Sequence, residues 1–408
     1  LEHIEWSIAF NLLVLWGGPQ IFILTFNVSL WKRISHFLKL TNRTMLPLYK
    51  QPPEVIQKCK NHRALNCYIH QQYNFDFYEF FKLFIFPGPI VFLLRIIVLD
   101  FANPAPRWRR AASQIVMKYL TRICLFTWGF YRIKYVDHTT NRPKSKKWED
   151  LPRFDYLKDK YPLVGNHCTL LDILTICNCI GATSFFGKSG VKDSFIFHFL
   201  WDAWRCILVY RNKQEQPIGY SSQQMLINRI EEAYSKSNEN DAPYAPLVFP
   251  EGTTSAGLSV SRFHRGVFVP GRPIRPFTIK YPAKHFSLNF DTISIPRLFY
   301  QMLTQFSNSF EMHVYDLYLP DEVERNNPDL YAENVGKFIA GKLNIPYIDS
   351  ADKRTSDLAR EILSGRIRPD QVDDAIAKLD EIKEKEKQQR KQKAAEIERE
   401  KDILNMLL

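Results

Sequence analysis

Between residues 135 and 348, short apolar runs alternate with longer runs whose apolar residues recur at helical spacing. The short runs are bounded by turn residues and therefore predict strands: YPLVGN, ATSFF, CILVYR, APLVFP and IRPFTIKY. The longer runs predict helices: TLLDILTICNCI, SFIFHFLWDAW and SSQQMLINRIEEAYSKS. Alternation of this kind is typical of an α/β domain. We therefore predict an α/β fold with a layered sheet and flanking helices.

Residues 1–106 carry two apolar segments, and we predict that they form a membrane-anchoring region. Residues 6–31 contain no charged side chain, although GGP interrupts them. They are long enough to span a bilayer, which takes roughly 20 residues. Residues 83–99 are broken by PGP and contain Arg95. For residues 6–31, a spanning helix, a re-entrant helix and a buried helix of a soluble protein remain open.

The charges beside these segments predict their orientation. Two glutamates precede residues 6–31, and a basic stretch that begins with Lys32 follows them. Cytosolic loops are enriched in Lys and Arg, so we expect the chain after residue 31 to face the cytosol. Basic clusters lie on both sides of residues 83–99, so this segment is expected to enter and leave from the cytosolic face or to lie in the membrane interface. Residues 107–135 predict a basic amphipathic helix that either docks on anionic lipid headgroups or is solvated.

Residues 349–408 differ in character from the α/β region, which we assign to residues 107–348. The run LDEIKEKEKQQRKQKAAEIEREKD interleaves both signs of charge. Such a pattern is typical of an exposed helix, a weak coiled coil or a disordered segment. We predict a charged tail that is helical or disordered.

The net charge of +12 and the pI of about 9.2 indicate an anionic partner. A phosphorylated substrate, a membrane surface and nucleic acid all fit this charge. Nucleic acid is not favoured, because no recognised binding module is present and the apolar N-terminal region favours a membrane. The seven cysteines have no paired spacing typical of a metal site. We predict reduced thiols, no metal site and a cytosol-facing protein.

Two titratable residues stand in the apolar run VGNHCTLLDIL, and they predict a catalytic pair. On one helix His167 and Asp172 would point roughly 140° apart, so they can meet only if His167 lies in a loop before the helix. Thr169 can then cap the helix and leave Asp172 in its first turn. A carboxylate that holds one imidazole nitrogen leaves the other free to accept a proton. The alternative is a structural pair, since buried polar groups must satisfy each other.

A second motif, LVFPEGTTSAG, follows a predicted strand and has the composition of a phosphate-binding loop. Gly252 allows close approach of the backbone to a ligand, and Thr253 offers a hydroxyl and an N–H group. The predicted strand CILVYR ends at Arg211, and polar residues follow it. The guanidinium group of Arg is suited to bidentate binding of phosphate. Downstream, VPGRPIRPFTIKYP places Arg272 and Arg275 among turn residues.

Together, NHCTLLD, CILVYR, FPEGT and VPGRPIRP resemble, in order and spacing, the motifs of the glycerophospholipid acyltransferase family, the His-x4-Asp acyltransferases. The resemblance covers residues 110–348 approximately. Within the family the chain is most similar to the lysophosphatidylcholine and lysophosphatidylethanolamine acyltransferases. Thr254 stands where lysophosphatidic acid acyltransferases usually have Arg. The second motif departs from the family, since Arg205 and Leu208 stand where Gly and Phe are frequent.

This resemblance implies a layered α/β sheet of the glycerolipid acyltransferase type, preceded by membrane-embedded helices. It implies His167 as the general base and Asp172 as the residue that orients it. It also implies a set of acceptor-binding residues: Arg211, Glu251, Gly252 and Thr253. Backbone N–H groups near Cys168 and Thr169 are expected to stabilise the oxyanion. Acyl-CoA is implied as a co-substrate, with no cofactor.

The reaction implied is transfer of an acyl chain from acyl-CoA to the free hydroxyl of a lysophospholipid at a membrane bilayer. The implied location is the endoplasmic reticulum or a related endomembrane, with the catalytic domain facing the cytosol. One alternative is an acyltransferase for lysophosphatidic acid or glycerol 3-phosphate. Another is a membrane protein that keeps the fold as a lipid-binding scaffold without catalysis. The intact His167 and Asp172 weigh against the scaffold.

Overall fold

Strands and helices alternate along the chain much as the apolar runs predict. The computed structural model describes these residues, together with isolated positions between them: 51–69, 118–139 except 120 and 127, 159–181, 184–189, 206–210, 216–235, 245–282 and 307–407. Outside the described residues lie the apolar segments 6–31 and 83–99, the helix predicted over SFIFHFLWDAW and the residue Arg211. What the sequence predicts for them therefore stays a prediction.

The described residues contain nine strands, numbered in chain order: β1 (Phe130–Asp137), β2 (Leu163–Gly165), β3 (Ser184–Lys188), β4 (Ile207–Val209), β5 (Pro246–Val248), β6 (Val260–Ser261), β7 (Arg275–Lys280), β8 (Asn308–Val314) and β9 (Tyr347–Ile348). Seven of them form one sheet in the order β1-β8-β7-β2-β5-β3-β4, and β6 pairs with β9 separately. Neighbours in the large sheet run parallel except β7 and β8. The predicted α/β fold is confirmed, with a mainly parallel sheet.

The helices of the described residues are also numbered in chain order: α1 (Pro53–Asn61), α2 (Asp172–Ile180), α3 (Ser222–Ser235), α4 (Glu322–Asn326), α5 (Pro328–Leu343), α6 (Lys353–Leu363) and α7 (Val372–Leu407). Residues 118–119 and 121–126 are helical as well, but the helix predicted over residues 107–135 is wrong at its end, because residues 130–135 belong to β1. Within this part of the chain, no helix combines the length and the apolar character that crossing a bilayer requires.

The large sheet is covered on both faces, and neighbouring residues of its central strands enter two different cores. In β2, Leu163 packs in the core that contains α2, whereas Val164 packs in the core that contains α3 and α5. In β5, Leu247 and Val248 divide in the same way. Full burial of one such side chain contributes about 1.5–3 kcal/mol. Strands covered on both faces are continuous apolar runs, which explains why LVG and PLV show no alternation.

Three segments that carry polar side chains meet at one edge of this sheet. Because β2, β5 and β7 run parallel, their carboxyl ends lie at the same edge. The segments that follow them contain His167, Glu251 and Tyr281. At the end of β2, a Cβ on Gly165 would lie 2.4 Å from the ring of Phe277, so only glycine lets the strand pass this ring. The candidate site residues therefore lie at the edge of the sheet where β2, β5 and β7 end.

The charged tail is helical over Val372–Leu407, and its start packs near the first described residues. Lys58 forms an exposed ion pair with Asp373 at 2.6 Å, and pairs of this kind contribute little to stability. A buried contact matters more: Gln51 donates from Nε2 to the carbonyl oxygen of Ile362 at 2.9 Å. The tail therefore begins as a packed element, while the domain boundary at residue 349 stays a prediction.

Candidate active site

His167 and Asp172 meet in the way that the sequence predicts, with the imidazole in the loop before α2. Nδ1 of His167 lies 2.7 Å from Oδ2 of Asp172. The imidazole is 21% exposed and stacks on the ring of Phe249, with the ring centroids 4.2 Å apart. An ionised carboxylate can only accept, so we assign the Nδ1 proton to His167. Nε2 is then the nitrogen that can accept a proton from a ligand.

Asn166 explains how β2 delivers His167 to this position. Its Oδ1 accepts the N–H of Ile279 at 2.9 Å, and its Nδ2 donates to the carbonyl oxygen of Ile279 at 3.0 Å. The amide side chain thus continues the pairing between β2 and β7 after the main chain of β2 turns away. His167 follows at the turn. Sequence reasoning did not identify this role, although an amide next to the His was visible in the motif.

Asp172 is fully buried, and its charge is compensated by hydrogen bonds. Besides His167, Oδ2 accepts the backbone N–H groups of Cys168 at 2.8 Å and Thr169 at 3.1 Å. Oδ1 accepts the hydroxyl proton of Tyr281 at 2.7 Å. Four donors on one carboxylate satisfy a buried charge that would otherwise be very costly. The structure thus holds Asp172 in a single orientation.

Two expectations for this turn are wrong. The N–H groups of Cys168 and Thr169 cannot be the free oxyanion donors that we expected, because both already donate to Asp172. Thr169 does not cap the helix either: α2 begins without a side-chain cap, and the Thr169 hydroxyl is buried without a partner among the described residues. The carboxylate of Asp172 instead binds the N–H groups of the turn that precedes α2.

Glu251 holds the backbone of His167 from the loop that follows β5. Its Oε1 accepts the N–H of His167 and its Oε2 accepts the N–H of Ser261, both at 2.8 Å. The side chain is fully buried, and burial raises the pKa of Glu251 to about 7 although both N–H donors favour the carboxylate. The N–H of Ser255 also donates to the carbonyl oxygen of His167 at 2.9 Å. Both backbone polar groups of His167 are therefore fixed by one loop.

The predicted acceptor-binding residues are not placed alike. Gly252 is exposed and has a φ of +67°, a conformation that favours glycine. Thr253 is buried, with Oγ1 3.5 Å from Oγ of Ser356 in α6. Glu251 is buried and acts on His167, so its predicted contact with the acceptor has no support in these distances. Arg211 lies outside the described residues.

Both arginines of the VPGRPIRP segment are paired with carboxylates, one in the core and one on the surface. Arg275 is fully buried and pairs with Asp159, with Nε 2.6 Å from Oδ2. Arg272 pairs with Glu231 across 2.9 Å on the surface. A buried pair needs both partners, because an unpaired buried charge is strongly destabilising. Arg275 therefore stabilises the opposite edge of the sheet, where β2 and β7 begin.

A second layer of contacts supports the Glu251 loop. The hydroxyl of Tyr68 lies 3.3 Å from Oγ of Ser261 and donates to the carbonyl oxygen of Asp352 at 3.0 Å. The Asp352 carboxylate in turn accepts from the ammonium of Lys383 in α7. These contacts connect residues 51–69 and the tail to the loop that fixes His167.

Cys168 adjoins His167, and the structure argues against it as a nucleophile. The thiol is buried, and burial raises the pKa of Cys168 well above its ordinary value. A thiol that stays protonated is a poor nucleophile. Cys168→Ala is therefore expected to keep the wild-type kcat within a few-fold, measured by steady-state acyl transfer. An acyl thioester trapped on Cys168 and detected by mass spectrometry would contradict this expectation.

The comparison with known families agrees with the motifs. Residues 136–280 match a family model described as Acyltransferase, and this range includes His167, Asp172 and Glu251. Among solved structures, the 1-acyl-sn-glycerophosphate acyltransferase PlsC of Thermotoga maritima aligns with a TM-score of 0.40 and 16% identity, covering 65% of this chain and 94% of that one.

Individual relatives are named for transfer to lysophospholipids. The chain is 30% identical over 260 residues to the lysophospholipid acyltransferase LPEAT1 of Arabidopsis thaliana, a match that covers 60% of this chain and 63% of that protein. It is 26% identical over 254 residues to lysophosphatidylcholine acyltransferase 1 of Homo sapiens, covering 60% of this chain and 42% of that protein. The chain thus spans less than two thirds of the length of these relatives. The predicted resemblance to this group of acyltransferases is confirmed.

Proposed function

We propose that this chain, whose residues 136–280 match the Acyltransferase family model, is a lysophospholipid acyltransferase. It would move an acyl chain from acyl-CoA to the free hydroxyl of a lysophospholipid of the phosphatidylcholine or phosphatidylethanolamine type. One observation carries the proposal. His167 is bound through Nδ1 to a buried carboxylate at 2.7 Å and is partly exposed, so Nε2 can act on a ligand.

In the proposed mechanism His167 is the general base. Nε2 removes the proton from the acceptor hydroxyl while the oxygen attacks the thioester carbonyl carbon. The tetrahedral intermediate collapses as the C–S bond breaks, and the imidazolium returns its proton to the CoA thiolate. Asp172 stabilises the imidazolium in between. Phe249 stacks on the imidazole and limits its rotation. The acyl group passes directly to the acceptor without a covalent enzyme intermediate.

Glu251 is proposed as a positioning residue. An ionised carboxylate repels a phosphate, and this one has both oxygens bound to backbone N–H groups. By contrast, Arg211, Gly252 and Thr253 remain proposed for the acceptor glycerophosphate. Of these three, Gly252 is exposed beside the loop that fixes His167.

Glu251→Gln tests the positioning role at pH 8, where the carboxylate form dominates. The amide has only one acceptor oxygen, so the N–H of either His167 or Ser261 must face an NH2 group. We expect a loss of about 1–3 kcal/mol in the free energy of unfolding. We also expect a lower kcat with an unchanged KM for the lysolipid, measured by denaturant unfolding and steady-state kinetics.

Glu324→Gln is the matched control, because Glu324 is also buried and accepts a backbone N–H, that of Asp321, at 3.0 Å away from the site. It should lower stability and leave kcat unchanged. A Glu251→Gln protein with normal kcat and a raised lysolipid KM would instead favour acceptor binding.

The co-substrate and location follow from the same proposal. Coenzyme A is polyanionic, which suits a chain of net charge +12. No cofactor besides this co-substrate is required by the mechanism. We place the protein at the endoplasmic reticulum or a related endomembrane, with its catalytic domain facing the cytosol and the lysolipid supplied from the bilayer.

The proposal is tested with the purified full chain, a panel of lysolipids and radiolabelled acyl-CoA. Transfer to lysophosphatidylcholine or lysophosphatidylethanolamine, lost in His167→Ala, is the expected result. Transfer only to lysophosphatidic acid or glycerol 3-phosphate would move the protein to that substrate class. Lipid binding without any transfer would support the scaffold and reject an enzyme.

A further inference from the structure

Among the described residues, Tyr281 is the one partner of Asp172 that comes from neither the His167 loop nor α2. It follows β7 directly, and its hydroxyl donates to Oδ1 of Asp172 at 2.7 Å. The same hydroxyl lies 2.9 Å from Oγ1 of Thr175, one helical turn after Asp172. Because β2 and β7 are parallel, the residue after β7 arrives at the edge where His167 lies.

The ring of Tyr281 is held by aromatic packing, so the hydroxyl has little freedom to leave Asp172. Its centroid lies 5.0 Å from that of Phe310 and 6.3 Å from that of Phe130. Burial raises the pKa of Tyr281 well above its ordinary value, with the charge of Asp172 adding to the effect. The phenol is therefore protonated at neutral pH and can donate to Asp172.

The two oxygens of Asp172 are stabilised unequally. Oδ2 has three N–H donors, whereas the phenol is the donor that Oδ1 has among the described residues. Without the phenol, a buried carboxylate would keep part of its charge uncompensated and could rotate away from the imidazole. A hydrogen bond to a carboxylate favours its charged form, so losing one raises the affinity of the carboxylate for a proton.

We propose that Tyr281 is a positioning residue that fixes Asp172 against His167 and limits how strongly the His167–Asp172 pair binds a proton. This inference rests on the proposed function, in which that pair removes a proton from the acceptor hydroxyl. Within the part of the chain that the structure describes, the other titratable groups that face the pair are the Cys168 thiol and the Glu251 carboxyl, which lie on the loops after β2 and β5. Tyr281 differs from both because it bonds to Asp172 directly.

Tyr281→Phe removes the hydroxyl and keeps the ring. We expect kcat to fall roughly 10- to 100-fold, as for other hydrogen bonds to charged groups, with both KM values unchanged. The acid limb of the kcat/KM profile should move to higher pH by about one unit, because the pair holds its proton more tightly. If Tyr281 had a purely structural role, Tyr281→Phe would lower kcat/KM at every pH and leave the acid limb of the profile at the same pH.

Tyr315→Phe is the matched control. Tyr315 is also buried, and its hydroxyl lies 3.2 Å from Oγ1 of Thr278, the same kind of partner that Thr175 is for Tyr281. Its profile should match that of the wild type. If Tyr281→Phe kept the wild-type kcat and acid limb, the positioning role would be rejected.

An NMR titration of the His167 imidazole separates this inference from the proposed function. Tyr281→Phe should raise the imidazole titration midpoint whether or not a substrate is known, and an unshifted midpoint would overturn the inference. Absence of acyl transfer in the wild type would reject the function alone. If Tyr281→Phe does not fold, 3-fluorotyrosine in place of Tyr281 gives a stronger donor of nearly the same size. The 3-fluorotyrosine protein should have a lower titration midpoint for the His167 imidazole, and an unchanged midpoint would overturn the inference.

Discussion

His167→Ala is expected to lower kcat for acyl transfer on the order of 10³-fold, within the range for loss of a general base. Its imidazole is the group placed to accept the proton, because its backbone and ring are held by Glu251, Asp172 and Phe249. The fold should be retained, since Asp172 keeps three of its four donors. The measurement is single-turnover acyl transfer, with thermal unfolding of the same samples.

His313→Ala provides the control for removal of an imidazole as such. The ring of His313 is 24% exposed, close to the 21% of His167, and it lies on β8 away from Asp172. Its kcat should equal that of the wild type. A His167→Ala protein that retained wild-type activity would remove the basis of the proposed mechanism.

Asp172→Asn is expected to lower kcat by about 10²–10⁴-fold, as in other His–carboxylate pairs. The asparagine oxygen would face the three N–H donors and its NH2 group would face Tyr281, which can accept. The fold and the imidazole tautomer are therefore kept, and what is lost is the negative charge that stabilises the imidazolium. Without that charge the imidazole binds a proton less tightly. The acid limb of kcat/KM should move to lower pH.

The direction of this shift is opposite to the one expected for Tyr281→Phe, so the two variants control for each other. A pH profile measured between pH 5 and 9 distinguishes them. If Asp172→Asn retained more than a tenth of the wild-type kcat, stabilisation of the imidazolium would not be a major contribution.

The strands near the site could be predicted from the sequence because they are buried on both faces. Continuous apolar runs such as LVG in β2 and PLV in β5 have few other interpretations. The meeting of His167 and Asp172 was also predictable, since a helix would separate them and a loop followed by a helix unites them. These inferences use residues close together in the chain.

The contacts that the sequence did not predict join residues far apart in the chain. Tyr281 bonds to Asp172 only because β7 lies beside β2, and that order of strands is not written in any local pattern. Glu251 was assigned to the acceptor by the resemblance to the acyltransferase family. Its full burial and its two bonds to backbone N–H groups, of His167 and Ser261, are contacts that the motif FPEGT does not predict.

The tail illustrates the same limit. Its alternating charges predict an exposed helix or disorder, and nothing local indicates that Lys383 is nearly buried against Asp352. The partner of that lysine lies at the start of another helix, α6. The sequence pattern predicts the helix. Which of its charged side chains is buried depends on an element that is distant in the sequence and packs against it.

The position of β8 between β1 and β7 has a consequence for the newly synthesised chain. Phe130 in β1 pairs with Asn308 in β8, so the edge strand leaves the ribosome long before the strand that joins it to the sheet. At about 5–20 residues per second, the delay is roughly 10–35 seconds. Throughout it the side chain of Phe130, fully buried in the folded protein, has no sheet to cover it. Nascent chains that end before Val314 are therefore expected to leave β1 unpaired and Phe130 accessible to solvent.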